Sequence, residues 1–292
     1  MLIDTHAHLN FNAYQEDADE VIKRSLDSNV WMINVGSQYE TSKKAVKIAE
    51  QYEKGVYASV GLHPIHLETG LVKIKNDNEE TLIKTREESF NYQKYKELAR
   101  SKKVVAIGEI GLDYYWQPKT TKKKEIFKQK QKDLLLKQLE LAQELNLPVI
   151  FHCRTAHQDL IEILKSEIRN MDFEIKGVMH GFVGTVEQLE KYLELGFYIG
   201  FNGIIFKNIE GINFEENIKQ TPLNKILIET DCPYLTPPLP AEVLTKAGPM
   251  TGRNEPLYVK YVVERIAKIK NLNYQEISEI TTANAKKLFN LK

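Results

Sequence analysis

Two histidines near the start of the chain, His6 and His8, have the spacing of a metal-binding pair. The residues before them, Met1 to Asp4, are apolar and β-branched enough to predict a short buried strand. Side chains two positions apart in a strand point to the same face, so both imidazoles converge at the carboxyl end of that strand. Such a pair is typical of divalent-metal ligands, but buried histidines satisfied by hydrogen bonds have the same pattern. The spacing alone leaves both interpretations open.

Short apolar segments alternate with helical patterns along the whole chain. The segments lack a clean period of two, as expected when both faces of a parallel sheet are covered. Eight such units in one run predict an α/β protein, a single (β/α)8 TIM barrel with an additional C-terminal helix. We expect one domain over residues 1–292, with a longer polar insertion around 65–103 that is helical from residue 81. The predicted strands cover residues 1–4, 30–35, 56–62, 104–109, 148–152, 175–180, 197–201 and 225–230, and the predicted helices cover 16–28, 39–53, 122–146, 156–168, 186–195, 214–220, 255–270 and 274–288.

Ionisable side chains stand at the ends of most of the predicted strands. Active sites of such barrels lie at the carboxyl ends of the strands, so these residues can be treated as one set. Five of the seven histidines belong to it, which favours a metal site over a buried histidine pair. Four imidazoles and two carboxylates are about the ligand supply that two divalent ions need if one carboxylate bridges them. The set consists of His6, His8, His63, Glu109, His152, His180 and Asp231.

The charge balance excludes some classes of function. Lys+Arg and Asp+Glu number 40 each, so the chain lacks the global basic field of a non-specific DNA-coating protein. An enzyme acting on DNA is not excluded, because local side chains and bound metal can supply positive charge. The only two cysteines, Cys153 and Cys232, predict no disulfide framework and a cytoplasmic location. We expect no signal peptide, and the longest apolar run, residues 196–206, is too short to span a membrane.

Seven short motifs, spread over almost the whole chain, make the sequence similar to one family. The chain resembles the TatD family of metal-dependent deoxyribonucleases, within the amidohydrolase-like metallohydrolases. The motifs stand in the family's order and are highly specific together, although each is weak alone. They are Asp4-Thr5-His6-Ala7-His8-Leu9, Gly61-Leu62-His63-Pro64, Gly108-Glu109-Ile110-Gly111-Leu112-Asp113-Tyr114, Pro148-Val149-Ile150-Phe151-His152-Cys153-Arg154, His180-Gly181-Phe182, Glu229-Thr230-Asp231-Cys232-Pro233-Tyr234-Leu235 and Arg253-Asn254-Glu255-Pro256.

The resemblance implies a centre with two divalent metal ions. Glu109 would be shared by both ions. Related barrels that hydrolyse amides often bridge their metals with a carbamylated lysine, so a glutamate at this position favours phosphoesters. Mg²⁺, Mn²⁺ or Zn²⁺ would suit the site, and the sequence does not distinguish among them. Besides Glu109, the implied ligands are His6, His8 and Asp231 for one ion and His152 and His180 for the other.

The resemblance also implies catalytic roles. Asp231 is the expected general base as well as a ligand, since a carboxylate can take the proton of the attacking water. Glu109 takes part through its bridging position. His63 is expected to contact the scissile phosphate, as a hydrogen-bond donor or as a further metal ligand. Glu229 and Asp4 lie near the ligands in sequence and are expected to support them.

Three further residues are candidates for substrate binding. Arg154, two positions beyond the predicted ligand of the fifth strand, can offer a bidentate clamp to phosphate or form a structural salt bridge. Arg253 is a second candidate clamp, or part of the cap of the helix that follows it. Tyr114, with Tyr115, follows the fourth strand and either stacks on an unpaired base or packs against the protein. The lysines within 119–132 form either a DNA-facing patch or a solvated helix start.

We therefore expect a metal-dependent hydrolase that cleaves DNA phosphodiester bonds by two-metal activation of water, as an exonuclease on single strands or frayed ends. The alternative is an amidohydrolase or deaminase acting on a small molecule, against which Glu109 and the two arginines argue. A third interpretation is a metal-dependent binding protein without catalysis, which a complete ligand set with a candidate base disfavours. Neither a membrane nor an obligate protein partner is expected.

Overall fold

Eight parallel strands form the centre of the molecule. The structure is a computed structural model that describes residues 1–68, 87–170, 175–240 and 252–292. Each strand pairs in parallel with the next in chain order, and most strand residues are buried because helices cover the outer face. The strands are β1 Leu2–Ala7, β2 Val30–Val35, β3 Val56–Val60, β4 Val104–Asp113, β5 Val149–Arg154, β6 Gly177–Met179, β7 Tyr198–Phe201 and β8 Ile226–Ile228.

The first and last strands meet and close the barrel. Ala7 at the end of β1 forms a parallel bridge with Cys232, just beyond β8. The backbone amide of Asp231 donates to the carbonyl of His6 at 2.8 Å. Closure therefore brings the residues that follow the last strand beside the histidines of the first.

Helices connect the strands and cover the outside of the barrel. Side-chain caps fix several helix starts. The Thr185 hydroxyl accepts the Gln188 amide in one helix, and the Asn273 side chain accepts the Glu276 amide in another, both within capping boxes. Within the described ranges the α-helices are α1 Ala18–Asp27, α2 Tyr39–Ala49, α3 Tyr92–Leu98, α4 Thr121–Leu145, α5 His157–Asn170, α6 Val186–Glu194, α7 Phe214–Gln220, α8 Val259–Lys270 and α9 Tyr274–Phe289.

The C-terminal helix α9 closes the amino-terminal end of the barrel. Its Leu288 and Phe289 share one buried cluster with side chains from seven of the eight strands. Strands on opposite sides of a barrel can share a cluster only in its interior. The Asn284 side chain donates to the carbonyl of Ile226, the first residue of β8, at 2.9 Å. The opposite, carboxyl-terminal end of the barrel therefore remains for the loops that carry the predicted site.

The predicted fold, a (β/α)8 barrel with an additional C-terminal helix, is confirmed. The fourth strand runs four residues further than predicted, to Asp113, and the eighth is shorter and ends at Ile228. The predicted insertion 65–103 overlaps residues 69–86, which lie outside the described residues, and its described part contains α3. That residues 1–292 form one domain stays a prediction. None of the described helices combines the length and the apolar composition of a membrane span.

Candidate metal centre

His6 and His8 lie side by side at the carboxyl end of β1. Between Asp4 and Ala7, β1 carries one extra residue relative to β2, and such a bulge re-aims the side chains beside it. The Nε2 atoms of the two histidines are 3.1 Å apart. Nδ1 of His8 lies 2.9 Å from the carbonyl oxygen of Val35, which can only accept, so the ring proton of His8 sits on Nδ1. The lone pair on Nε2 of His8 therefore faces the neighbouring histidine and can bind a metal ion.

Glu109 lies at the centre of the histidines. Its Oε1 atom is 2.8 Å from Nδ1 of His152, and 3.5 and 3.6 Å from Nε2 of His63 and of His180. Its Oε2 atom is 3.6 Å from Nε2 of His6. Burial alone would raise the pKa of this carboxyl, but hydrogen bonds from His152 and His6 and the charge of His180 hold it well below its usual range. Glu109 is thus a buried anion whose two oxygens face the ends of four different strands.

The path of β4 explains this position of Glu109. At Glu109, β4 carries one extra residue relative to β5, and this bulge changes the direction of the side chain. Gly111 then passes the backbone of His152 so closely that a Cβ atom would lie 1.9 Å from the carbonyl oxygen, and its φ is +148°. Only glycine fits there, and it allows β4 to continue beside β5 as far as Asp113.

Asp113 belongs to the cluster, although it is not among the site residues predicted from the sequence. Its Oδ2 atom is 3.1 Å from Nε2 of His152. Its Oδ1 atom accepts the backbone amides of Tyr115 and Trp116 at 2.9 and 3.1 Å. Because the predicted fourth strand ends at residue 109, the prediction places Asp113 beyond the strand end and outside the site. The signal that could have found it is its even separation from Glu109, which puts both carboxylates on one face of an extended strand.

The buried carboxylate of Glu229 lies behind His180. Oε1 of Glu229 is 2.8 Å from Nδ1 of His180 and also accepts the Gly181 amide at 2.6 Å and the Asn202 side chain at 3.1 Å. A carboxylate at Nδ1 fixes the ring and leaves Nε2 to face Glu109. These are the contacts that the predicted supporting role of Glu229 requires.

Asp231 completes a group of ligand atoms with the histidines of β1. Its Oδ1 atom is 3.4 Å from Nε2 of His8 and 3.8 Å from Nε2 of His6. Asp231 has a φ of +57°, a left-handed conformation in which the chain turns sharply after β8. Asp4 is fully buried and accepts hydrogen bonds from the amide and hydroxyl of Thr230 and from the backbone amide of His6. Burial raises the pKa of Asp4 to about 8.

The charges and ligand atoms of the cluster fit divalent cations. Burial lowers the pKa values of His152 and His180, but the neighbouring carboxylates outweigh it and raise them to about 9 and about 10. The carboxylates of the cluster thus favour positive charge on the neighbouring imidazoles. A divalent ion liganded by imidazole and carboxylate would supply that positive charge instead. Within each of three groups the ligand atoms all lie within 4.8 Å of one another: His6, His8 and Asp231; His6, Glu109 and His180; and His63, Asp113 and His152.

His63 has the contacts of a hydrogen-bond donor. Its Nδ1 atom accepts the Ile65 amide at 3.1 Å, so the proton of the neutral ring sits on Nε2. That nitrogen faces the cluster, 3.5 Å from Oε1 of Glu109. Burial lowers the pKa of His63 to about 3 and keeps the ring neutral. Of the two roles predicted for His63, these contacts favour the donor over the metal ligand.

Arg154 and Tyr114 differ in how far they are available to a substrate. Arg154, the last residue of β5, is exposed. Tyr114 is half-buried and its hydroxyl donates to Asp159 at 2.7 Å, as the packing alternative requires. Its neighbour Tyr115 is 54 % exposed. Contact of Tyr114 with a substrate stays a prediction, and the exposed ring at this place is that of Tyr115.

Arg253 is held by contacts outside the cluster. Its guanidinium donates to Asp17 at 2.9 Å and to the Ala13 carbonyl at 2.6 Å, and it lies 4.2 Å from the ring centroid of Tyr14. These contacts correspond neither to a phosphate clamp nor to a helix cap. They form a structural ion pair. Binding of substrate by Arg253 stays a prediction, and none of these contacts supports it.

A (β/α)8 barrel with histidines and carboxylates converging at its carboxyl-terminal end has the architecture of a metallohydrolase. The sequence model of the TatD related DNase family matches residues 3–290. The chain therefore belongs to the TatD family, and the predicted enzyme class, a metal-dependent hydrolase, is confirmed.

The chain is similar to individual proteins over almost their whole length. The chain is 40 % identical over 294 residues to the uncharacterized metal-dependent hydrolase YabD of Bacillus subtilis, with 100 % of both chains covered. It is 30 % identical over 291 residues to the 3'-5' ssDNA/RNA exonuclease TatD of Escherichia coli, with 99 % of both covered. The crystal structure of the TatD homologue YJJV of Escherichia coli matches with a TM-score of 0.76 at 28 % identity, covering 100 % of this chain and 98 % of that one.

Proposed function

We propose that this chain is a metal-dependent nuclease that hydrolyses phosphodiester bonds of DNA, as an exonuclease on single strands or frayed ends. The observation that carries the proposal is the position of Glu109, with Oε2 3.6 Å from His6 and Oε1 2.8 Å from His152. A carboxylate that faces histidines on both sides suits the bridge between two divalent ions. The name of the Escherichia coli relative, an ssDNA/RNA exonuclease, supports a single-stranded nucleic acid as the substrate.

The ligands divide into two sets around Glu109, which both ions would share. When bound, a pair of divalent cations, Mg²⁺, Mn²⁺ or Zn²⁺, stabilises charge on the phosphoryl oxygens and lowers the pKa of the attacking water. We assign His6, His8 and Asp231 to one cation and His152 and His180 to the other.

Asp231 is the proposed general base. Burial alone would raise the pKa of its carboxyl, but the hydrogen bond and charge of His8 and the other imidazoles keep it below its usual value. The carboxylate is therefore ionised at neutral pH and can take the proton of a water molecule. His63 would donate from Nε2 to a phosphoryl oxygen, and the guanidinium of Arg154 would hold a phosphate of the same strand.

We also propose that the protein acts in the cytoplasm. Both cysteines, Cys153 and Cys232, are free, as a reducing compartment requires. Fractionation of cells followed by detection of the protein tests this location, and recovery with secreted material would contradict it.

The test of the nuclease uses purified protein that is stripped of metal and then reloaded with Mg²⁺, Mn²⁺ or Zn²⁺. We expect stepwise shortening of an end-labelled single-stranded oligonucleotide. Asp231→Asn should lower turnover by about 100-fold or more, because it removes the proton acceptor. Glu109→Gln should lower both metal content and turnover. Glu194→Gln, the same chemical change on the exposed end of α6, should leave both unchanged.

Two outcomes would contradict the proposal. Turnover of small amides without cleavage of DNA under any of the three metals would favour the amidohydrolase alternative. Full activity of Asp231→Asn would remove Asp231 as the base.

A further inference from the structure

An arginine and two aromatic rings form a stack beside the cluster, in which Arg154 and Tyr115 are exposed and Trp116 is half-buried. The guanidinium carbon of Arg154 lies 3.8 Å from the ring centroid of Tyr115 and 5.9 Å from that of Trp116. The two aromatic rings meet edge to face with their centroids 5.0 Å apart. At 54 %, Tyr115 is the most exposed large hydrophobic side chain among the described residues. We call these three residues the Arg154 stack.

Within the described residues, the guanidinium of Arg154 contacts aromatic rings but forms no ion pair. In the part of the chain that the structure describes, no carboxylate lies within 4.0 Å of its guanidinium. Arg253 is the contrasting case, because its guanidinium is bound to Asp17. The stack therefore combines a flat surface with a positive charge that no described carboxylate neutralises, which is an arrangement suited to a nucleobase and its phosphate.

Asp113 forms hydrogen bonds both to the Arg154 stack and to the cluster of histidines and carboxylates. Oδ1 of Asp113 accepts the amides of Tyr115 and Trp116, while Oδ2 lies 3.1 Å from Nε2 of His152. Asp113 and Arg154 are also paired in register across β4 and β5. Arg154 follows His152 by two residues, which is about 7 Å along a strand. The stack thus lies within reach of a nucleotide next to one held at the cluster.

We propose that the Arg154 stack is a binding site for the unpaired nucleobase that neighbours the scissile phosphate. The base lies against the guanidinium plane, which the Tyr115 ring supports from behind, with Trp116 at the edge. Every base has a π-face, so such a site accepts any sequence but requires an unstacked base, and it selects single strands over duplex. The inference rests on the proposed function, because it takes nucleic acid as the substrate.

Fluorescence of Trp116 can report on this site. The only other tryptophan, Trp31, is 9 % exposed and packs in the cluster of the C-terminal helix, at the other end of the barrel. The metal-loaded protein is titrated with a phosphorothioate oligothymidylate, which resists hydrolysis, and with an abasic oligomer of the same length and charge. We expect the oligothymidylate to quench the fluorescence and to bind about tenfold more tightly than the abasic oligomer.

Variants separate stacking from charge. Tyr115→Ala and Arg154→Lys should each remove most of the difference in affinity between the two oligomers. Tyr115→Ala removes the aromatic ring, and Arg154→Lys removes the planar guanidinium but keeps the positive charge. Tyr115→Phe keeps the ring and should keep the difference. Trp116→Phe should lose the fluorescence signal. Tyr274→Ala removes a tyrosine that is 40 % exposed at the start of α9 and should change nothing.

Equal affinities of the two oligomers for the unaltered protein, or an unchanged difference in Tyr115→Ala, would overturn the base site. Cleavage of unmodified DNA decides the nuclease separately. If the protein cleaves DNA but binds the two oligomers with equal affinity, the proposed function stands and the base site is wrong. An inactive protein that still prefers the oligothymidylate keeps the base site and loses the nuclease.

Discussion

Asp113 determines which nitrogen of His152 faces Glu109. Its Oδ2 atom accepts from Nε2 of His152 at 3.1 Å, so Nδ1, which donates to Oε1 of Glu109 at 2.8 Å, is the nitrogen that can give up its proton to bind a metal ion. In Asp113→Asn the side-chain oxygen is retained by the amides of Tyr115 and Trp116, so the new NH₂ group faces Nε2 and imposes the opposite tautomer. We expect metal affinity, measured by competition with a chelating dye, to fall about 10- to 100-fold.

The matched control for Asp113→Asn is Asp159→Asn. Asp159 accepts from Tyr114 and pairs with Lys132 at 2.7 Å, but it contacts none of the proposed ligands. Its variant should keep the metal affinity of the parent protein. An unchanged metal affinity in Asp113→Asn would show that Asp113 does not orient His152. Its role would then be to accept the backbone amides of Tyr115 and Trp116.

The ion pair of Asp17 with Arg253 makes stability depend on pH. Hydrogen bonds from Arg253 lower the pKa of Asp17 below its ordinary 3.8, so the pair stabilises the folded state above pH 3.8 and this contribution is lost as the pH falls further. The two side chains are only 18 % and 11 % exposed. We expect Asp17→Asn to lower the free energy of unfolding by about 2 kcal/mol at neutral pH, measured by urea denaturation. The difference from the parent should shrink below pH 3.8.

Asp19→Asn controls for the loss of a charge two residues further along the chain, in the first turn of α1. Asp19 pairs with Lys23, but both side chains are more than half exposed, and such pairs contribute little. This variant should show no measurable change. A loss in Asp17→Asn that does not vary with pH would contradict the ion-pair explanation.

At the scale of elements, the sequence predicts where strands lie better than where they end. Apolar runs locate all eight strands because both faces of the sheet are covered. The ends depend on pairing with a neighbour, which a single segment does not reveal. β4 continues to Asp113 because Gly111 allows it to pass close to His152. The polar and glycine residues of that stretch interrupt the apolar pattern, so the prediction stopped at 109.

The start of α4 lies at the end of the barrel that carries the site. β4 ends at Asp113 and α4 begins at Thr121, so the first turn of α4, with the exposed Lys122 and Lys123, is close to the carboxyl ends of the strands. If these lysines meet phosphates, replacing both by alanine should raise the KM for single-stranded DNA several-fold. It should also reduce the slope of log KM against log salt by about 1 to 2.

Lys137→Ala is the control for that pair of substitutions. Lys137 is exposed on the same helix but lies about 20 Å further along its axis, towards the other end of the barrel. Its variant should keep the KM and the salt dependence of the parent. Equal effects of all three lysines would indicate general attraction by charge, and no effect of Lys122 and Lys123 would leave them as a solvated helix start.

At the scale of the whole molecule, barrel topology made it predictable that these histidines and carboxylates lie together. Parallel strands in chain order bring all their carboxyl ends together, so residues as distant in sequence as His6 and Asp231 can be grouped without knowing any contact. The same reasoning cannot find partners that loops bring together. Arg253 and Asp17 are 236 positions apart and neither stands at a strand end, so their ion pair appears only in the structure.

The two ends of the barrel should be separable in function. Phe289 of α9 is 2 % exposed in the cluster that fills the amino-terminal end, whereas the proposed ligands lie at the carboxyl-terminal end. Phe289→Ala should lower the free energy of unfolding by about 3 to 5 kcal/mol in urea denaturation, because it leaves a cavity. Metal affinity of the folded variant should stay that of the parent. Lys287→Ala, an exposed neighbour on the same helix, should change neither quantity. A loss of metal affinity in Phe289→Ala at unchanged stability would show instead that α9 positions the ligands from the opposite end of the barrel.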